Sequence, residues 1–461
     1  MTIWLPELDG RTGPRYKRIA AAIGDAIEDG SLKPGDRLPP QREMAYQLRL
    51  TVSTISRAYA LAEHRGLLAG EVGRGTFVRL PDQDGRDLIA RQTDNATINL
   101  GINTVMGPRQ AEALKHTLAT LLNGNNLEEL LSYLPSAGTA EHRAAAADWI
   151  GRRGVVVPPE QVVMTCGAQH GLSLAVGAVT APGETILCER LTYPGLIDTA
   201  RQLDRKLFGV ELDEEGVIPE ALEAAAKQQT ARVAVLVPTA QNPTASMMSI
   251  RRREAIAEVA RANDLTIIED DVYGLFPDPC PTPLVDLIPE RTIYLSCPSK
   301  SLAPGLRVGW MVPPENLVPM FISGVHATII MQAALVQEVF RIWVNDGTAD
   351  RLFAQLRADV AARYAVAARI FAGHPMRGDP ACFHVFLSLP EPWRGSTFAE
   401  AARAEGIRIT PASMFHVGTG DTPRAVRISV AAAPSLESLE QALSKLRSLI
   451  GTGRGFAHAV V

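Results

Sequence analysis

Cysteine is scarce. The 461 residues hold five, Cys166, Cys188, Cys280, Cys297 and Cys382, with no two at metal-ligand spacing. An odd, dispersed set excludes a disulfide-framed domain and a structural metal cluster, so no metal site is expected, and it fits reduced thiols in a cytoplasm. No apolar run reaches the roughly 18 residues that a membrane span needs. The stretch Met1-Thr2-Ile3-Trp4-Leu5-Pro6-Glu7 lacks a basic region followed by an apolar one, so no export signal is expected. Internal repeats at solenoid periods and low-complexity tracts are missing too. What is there is the composition of a soluble globular protein, 46% hydrophobic and 21% charged, long enough to bury at least two cores.

The overall charge of -4 hides an asymmetry. Residues 1–80 carry 12 Lys and Arg against 9 Asp and Glu, a net of +3, and the remainder carries 34 against 41, a net of -7. A mildly basic head on an acidic body suits a DNA-contacting module joined to a small-molecule domain. After Gly13-Pro14, Ile19, Ile23 and Ile27 repeat every fourth residue, which predicts a helix ending near Gly30, with Lys33-Pro34-Gly35-Asp36 as a turn. A second helix is predicted from about Gln41 to Leu48. Thr51 is the expected N-cap of a third, carrying Ile55, Ala58, Tyr59 and Ala62 inward. Two extended pieces around the glycine-rich Glu71–Thr76 then read as a hairpin. Helices followed by a hairpin form the layout of a winged helix-turn-helix over 1–80.

Residues 81–97 turn polar and read as a linker. From residue 98 to 461, short apolar runs (162–164, 185–187, 233–237, 265–268) alternate with amphipathic segments such as 251–262. That alternation predicts an α/β domain with a mostly parallel central sheet. Within it lies Ser296-Cys297-Pro298-Ser299-Lys300-Ser301-Leu302-Ala303-Pro304-Gly305-Leu306-Arg307. A lysine among small hydroxyl residues, with an arginine seven positions on, suits a Schiff base with a phosphorylated aldehyde whose phosphate the arginine holds.

On these motifs the body resembles the fold-type I aminotransferase-like enzymes that use pyridoxal 5′-phosphate (PLP), and the head resembles the GntR-type winged helix. Together they resemble the MocR subfamily of bacterial transcription regulators. The resemblance implies that Lys300 forms the Schiff base, that Arg307 and Ser299 bind phosphate, and that the amides of Ala168 and Gln169 in Cys166-Gly167-Ala168-Gln169-His170-Gly171 form a phosphate cup at a helix start. It implies that Tyr193 stacks on the pyridine ring, that Asn242 and Tyr273 share its 3-oxygen, and that Asp270 pairs with its nitrogen, leaving Asp271 as a solvated or structural acid. Tyr133 would reach the phosphate of a partner subunit, making the protein a homodimer with the site at the interface. Arg427 would fork onto an effector carboxylate. Two departures stand out: Cys297 where Ser or Thr is usual, and Ala245 in place of a glycine after the Asn-Pro motif.

In the head, the resemblance places Arg42 on the DNA backbone and the start of the third helix at base edges. Thr51, Ser53, Thr54 and Arg57 are the expected contacts there, with Val52 suited to a thymine methyl and Arg74 at the wing tip suited to the minor groove or a phosphate. The expected partners are therefore double-stranded operator DNA and an amine or amino-acid effector, sensed through aldimine exchange on Lys300. Two other readings stay open at this point: a working aminotransferase with an accessory DNA-binding head, and a regulator for which PLP itself is the signal.

Overall fold

The computed structural model describes residues 4–8, 13–28, 31–32, 35–64, 67–71, 75–78, 97–104, 107–124, 127–418 and 421–452. The chain divides into two compact units, residues 1–93 and 94–461.

In the first unit, helices α1 (Arg15–Glu28), α2 (Gln41–Gln47) and α3 (Val52–His64) precede an antiparallel hairpin of β1 (Leu68–Glu71) and β2 (Gly75–Val78). The apolar stripe of α1 buries Ile19 and Ile23 against Met44 and Ala45 of α2 and Ile55, Ala58, Tyr59 and Ala62 of α3. Tyr59, fully inside, donates its hydroxyl to the carbonyl of Pro39 at 2.8 Å, which satisfies the polar end of a core side chain. Thr51 caps α3 as expected: the Thr54 amide donates to Thr51 Oγ1 at 3.3 Å. Arg74 and all of the polar segment 81–97 except residue 97 lie outside the described residues.

The second unit opens with a two-residue strand, β3 (Ile98–Asn99). Next come β4 (Val163–Thr165), β5 (Thr185–Glu189), β6 (Lys206–Val210), β7 (Val233–Leu236), β8 (Thr266–Asp270), β9 (Thr292–Ser296) and β10 (Gly309–Val312). They form one sheet in the order β4-β10-β9-β8-β7-β5-β6. All run in parallel except β10, which is antiparallel to both neighbours. Helices cover both faces, so β7 and β9 are buried at every position, and the sequence shows unbroken apolar runs there. A smaller antiparallel sheet has the order β11-β12-β15-β14, built from β11 (Met376–Arg377), β12 (His384–Ser388), β14 (Thr410–Pro411) and β15 (Ala425–Ser429). β3 pairs in parallel with β13 (Ile407–Arg408), so the start of this unit is stitched to its far end.

Candidate functional site

The carboxyl ends of the parallel strands meet along one edge of the large sheet, where open α/β folds hold ligands. β8 ends at Asp270, β9 runs on toward Ser299 and Lys300, β5 leads to Tyr193, and β7 leads to Asn242. β4 leads into the helix Ala168–Val179. Because β10 runs the opposite way, Arg307 just ahead of it arrives at the same edge.

Lys300 is mostly buried and its Nζ donates to the carbonyl of Asn103. Burial pushes its ammonium down to about 8, and the guanidinium groups of Arg427 and Arg307 add to this against the opposite pull of Cys297 and Asp270. Ser299 and Cys297 are buried beside it. The two neighbouring acids have different surroundings. Asp271 is locked inside, its Oδ2 accepting from Arg153 Nε at 2.8 Å and from the Tyr294 hydroxyl at 3.2 Å. It is a structural acid and not a solvated one. Asp270 has a buried Oδ1 with no partner among the described residues. Burial, and then the charge of Asp271, lift the Asp270 carboxyl to about 7.

At the other end of the site, Gly167 caps the helix Ala168–Val179 with φ of 80°. A Cβ there would lie 2.4 Å from Arg307 Nη2, and one on Gly309 would lie 2.6 Å from the Gly167 carbonyl carbon. Both glycines are therefore required for the guanidinium to lie against the helix start. Arg307 donates to the carbonyls of Cys166 (3.1 Å) and Pro304 (3.4 Å), and no carboxylate pairs with it among the described residues. The first amides of the helix, those of Ala168 and Gln169, have no intrahelical acceptor. The Gln169 side chain is engaged elsewhere, with Gly195 and Thr199. Cationic donors and a helix N-terminus thus share one cradle, suited to a phosphate.

Between these ends lies Tyr193, whose hydroxyl burial and the Asp270 charge push up to about 12. Asn242 is buried, and its Oδ1 accepts from Arg427 Nη1 at 2.9 Å. Ala245 takes φ of 57°, the left-handed conformation a glycine would adopt freely, so that substitution loads the turn and leaves Asn242 in place. Arg427 also donates to the carbonyl of Gly101 and to Thr410 Oγ1 at 3.3 Å, and it stacks over Phe415. Burial brings its guanidinium down to about 10, still a cation at neutral pH. No carboxylate pairs with it among the described residues.

Sequence reading missed the residues that bridge this constellation. Asn103 Nδ2 donates to the Tyr273 hydroxyl at 2.8 Å and lies 2.9 Å from His384 Nδ1, and His384 Nε2 lies 3.0 Å from the Gln241 carbonyl. Asn103 is 170 positions from Tyr273 and 281 from His384. No spacing rule links them.

Tyr133 is 83% exposed, with Leu131 at 89%. Its segment is tied to residues 326–332 by the Leu134 amide on Met331 Sδ (3.0 Å) and by Ser136 Oγ and His326 Nδ1 (3.2 Å). Ile330 and Leu335 are exposed nearby in sequence. In the head, Arg42 and Ser53 are exposed on α2 and α3. Thr51 and Thr54 share a hydroxyl contact of 2.9 Å, and Arg57 lies over the Tyr16 ring at 4.7 Å. Val52 presents an exposed apolar side chain at the start of α3.

An orphaned carboxylate oxygen at one end, an unneutralised guanidinium over a helix start at the other, and a partly deprotonated lysine between them fit a phosphorylated pyridine aldehyde. Comparison with known proteins agrees. Residues 95–446 match the family described as aminotransferase class I and II, and residues 15–78 match the bacterial regulatory proteins of the gntR family. The uncharacterized HTH-type transcriptional regulator YdeF of Bacillus subtilis is 31% identical over 450 residues, 97% of this chain and 96% of its own. The HTH-type pyridoxine biosynthesis transcriptional regulator PdxR of Corynebacterium glutamicum is 26% identical over 417 residues, 87% of this chain and 89% of its own. The crystal structure of an archaeal alanine:glyoxylate aminotransferase matches with a TM-score of 0.73 at 22% identity, covering 85% of this chain and 98% of that one. At that identity the likeness speaks for the fold alone.

Proposed function

We propose that this chain, which belongs to the aminotransferase class I and II family and, with its gntR-family head, to the MocR-type transcription regulators, senses a carboxylate-bearing amine at the edge of its large sheet. It is a DNA-binding regulator whose aminotransferase-like body belongs to a PLP-binding family. When bound, PLP supplies an electrophilic carbonyl carbon conjugated to an electron-withdrawing ring.

The residues divide the work. Lys300 offers an amine that is partly unprotonated near neutrality. Arg307, Ser299 and the amides of Ala168 and Gln169 hold the phosphate, and Asp270 faces the ring nitrogen. Tyr193 stacks on the ring. Asn242, its Oδ1 already taken by Arg427, turns its amide hydrogens toward the ring oxygen alongside Tyr273. Arg427 binds the effector carboxylate in bidentate fashion.

One observation carries this reading. Lys300 Nζ and Arg427 Nη2 donate to the carbonyls of Asn103 and Gly101, two residues apart on one segment. A group that handles amines and a group that handles carboxylates therefore sit side by side, which selects a ligand bearing both.

A second copy of the chain covers the exposed Leu131, Tyr133, Ile330 and Leu335, and Tyr133 reaches the partner's phosphate. In the head, Arg42 and Arg57 contact DNA phosphates, while Thr51, Ser53, Thr54 and Val52 face base edges. No helix among the described residues is long and apolar enough to cross a membrane, and the protein works in the cytoplasm, where its five free thiols stay reduced. The effector changes operator binding by favouring one arrangement of the body over another.

The test is direct. Full-length protein loaded with PLP is reduced with borohydride and digested. The pyridoxyl mass is expected on the peptide holding Lys300 and absent from Lys300→Ala. A panel of amino acids is then scanned for changes in the visible band, with and without a 2-oxo acid. Spectral change without sustained product supports sensing. Sustained product formation at an ordinary enzymatic rate would instead make the chain an aminotransferase with an accessory head.

A further inference from the structure

Tyr273 is buried to within 3% of completely, and its hydroxyl is held by a side chain from a distant part of the chain. The direction of that hydrogen bond follows from His384. This imidazole is fully buried, and burial together with the Arg427 charge holds it down to about 3, so it is neutral. Its Nε2 lies 3.0 Å from the Gln241 carbonyl, which can only accept, so the proton sits on Nε2. Nδ1 is then an acceptor, and the Asn103 atom 2.9 Å from it must be the amide nitrogen. A flipped amide would set Oδ1 against a lone pair.

With its orientation fixed, Asn103 Nδ2 uses one hydrogen on His384 and the other on the Tyr273 oxygen at 2.8 Å. Tyr273 therefore accepts from Asn103, and its own proton must point elsewhere. The same residue holds Lys300 Nζ through its backbone carbonyl. Asn103 Oδ1 is left buried with no partner among the described residues.

We propose that Asn103 is a positioning residue of the PLP site: backed by His384, it aims the Tyr273 hydroxyl proton at the cofactor's 3-oxygen while its carbonyl holds the lysine. The proposal rests on the reading that Lys300 carries PLP. A hydroxyl aimed at the 3-oxygen stabilises the negative charge there. With PLP held on Lys300, the visible chromophore would then lose its proton at lower pH. The other ionisable groups around this point are Asp270, Tyr193, Cys297, Arg307 and Arg427, and none of them changes in the variants below.

The experiment follows the visible band of full-length, PLP-loaded protein through a pH titration. Asn103→Ala keeps the backbone carbonyl but frees Tyr273, and the midpoint is expected to rise by about half to one pH unit, the scale of one net hydrogen bond. In a Tyr273→Phe background, Asn103→Ala is expected to add nothing, because the residue acts through the tyrosine. Asn103→Leu, similar in shape and without a donor, should shift the midpoint the same way and serves if the alanine variant does not fold. An unchanged midpoint in both variants, or a shift of equal size in the Tyr273→Phe background, overturns the proposal. If the parent protein forms no band reducible onto Lys300, the underlying reading fails and the proposal with it. A band on Lys300 with an unmoved titration sinks the role of Asn103 alone.

Discussion

Replacing Arg427 with methionine should erase the preference for a carboxylate while leaving amine recognition in place. Arg427 is buried, remains charged, and pairs with no acid among the described residues. A carboxylate docking there would form charge-assisted bonds in a water-poor site. Each is worth about 1.5–3 kcal/mol, and competition from Asn242 Oδ1 and the Gly101 carbonyl for the same donors lowers the net. A net of about 2–4 kcal/mol corresponds to roughly 30- to 700-fold in affinity.

The substitution also strands Asn242 Oδ1, while the Gly101 carbonyl keeps Thr410 Oγ1 at 3.0 Å. One orphaned acceptor costs about 1–3 kcal/mol, but it burdens every ligand alike. A ratio removes it. The assay is a spectral titration of PLP-loaded protein with alanine and, separately, with ethylamine, which lacks the carboxylate. The parent should favour alanine, and Arg427→Met should shrink that preference by the factor above. A preference that survives the substitution would show that the carboxylate is held elsewhere, and the reasoning would be wrong.

Three further outcomes are expected. The reactive form of Lys300 is the free amine, and its folded value of about 8 lies below the ordinary lysine value, so the free fraction grows as pH rises toward it. The rate of PLP attachment to cofactor-free protein should climb about tenfold per unit below about pH 8 and level off above it; a flat profile across that range would contradict a depressed lysine. Gly167→Ala puts a methyl group at φ of 80° and 2.4 Å from Arg307 Nη2, so PLP affinity should fall by roughly tenfold, measured by equilibrium titration, and an unchanged affinity would remove Arg307 from the phosphate cradle. Arg42→Ala should weaken binding to operator and unrelated DNA alike and reduce the salt slope by about one, and an unchanged slope would exclude a phosphate contact.

Much of the site was legible because its groups lie in short motifs at strand ends. A strand that stops at the sheet edge delivers the next few residues to one place, so Asp270, Asn242, Tyr193 and Lys300, each singled out through a short motif that resembles the family's, lie along one edge of the large sheet. The same holds for the head, where the four-residue repeat of Ile19 and Ile23 and the hydroxyl of Thr51 are local instructions for a helix face and a helix cap. The Asp270-Asp271 pair was legible only in part. Adjacent residues on a strand face opposite sides, which separates their fates, but Arg153, the partner that holds Asp271, is 118 positions away.

The amino-acid order alone, then, determined the kinds of chemistry available: a lysine in a small-residue loop, a cation seven positions on, a glycine before a helix, and a winged-helix pattern ahead of them. Folding decided what those groups touch. Asn103 joins Lys300, Tyr273 and His384, and Gly101 meets Arg427, only because β3 returns to pair with β13 more than three hundred positions later. Hydrogen-bond partners so far apart leave no mark in spacing or composition. Their geometry is set by the packing of whole strands, and a linear pattern cannot encode which buried donor will find which acceptor.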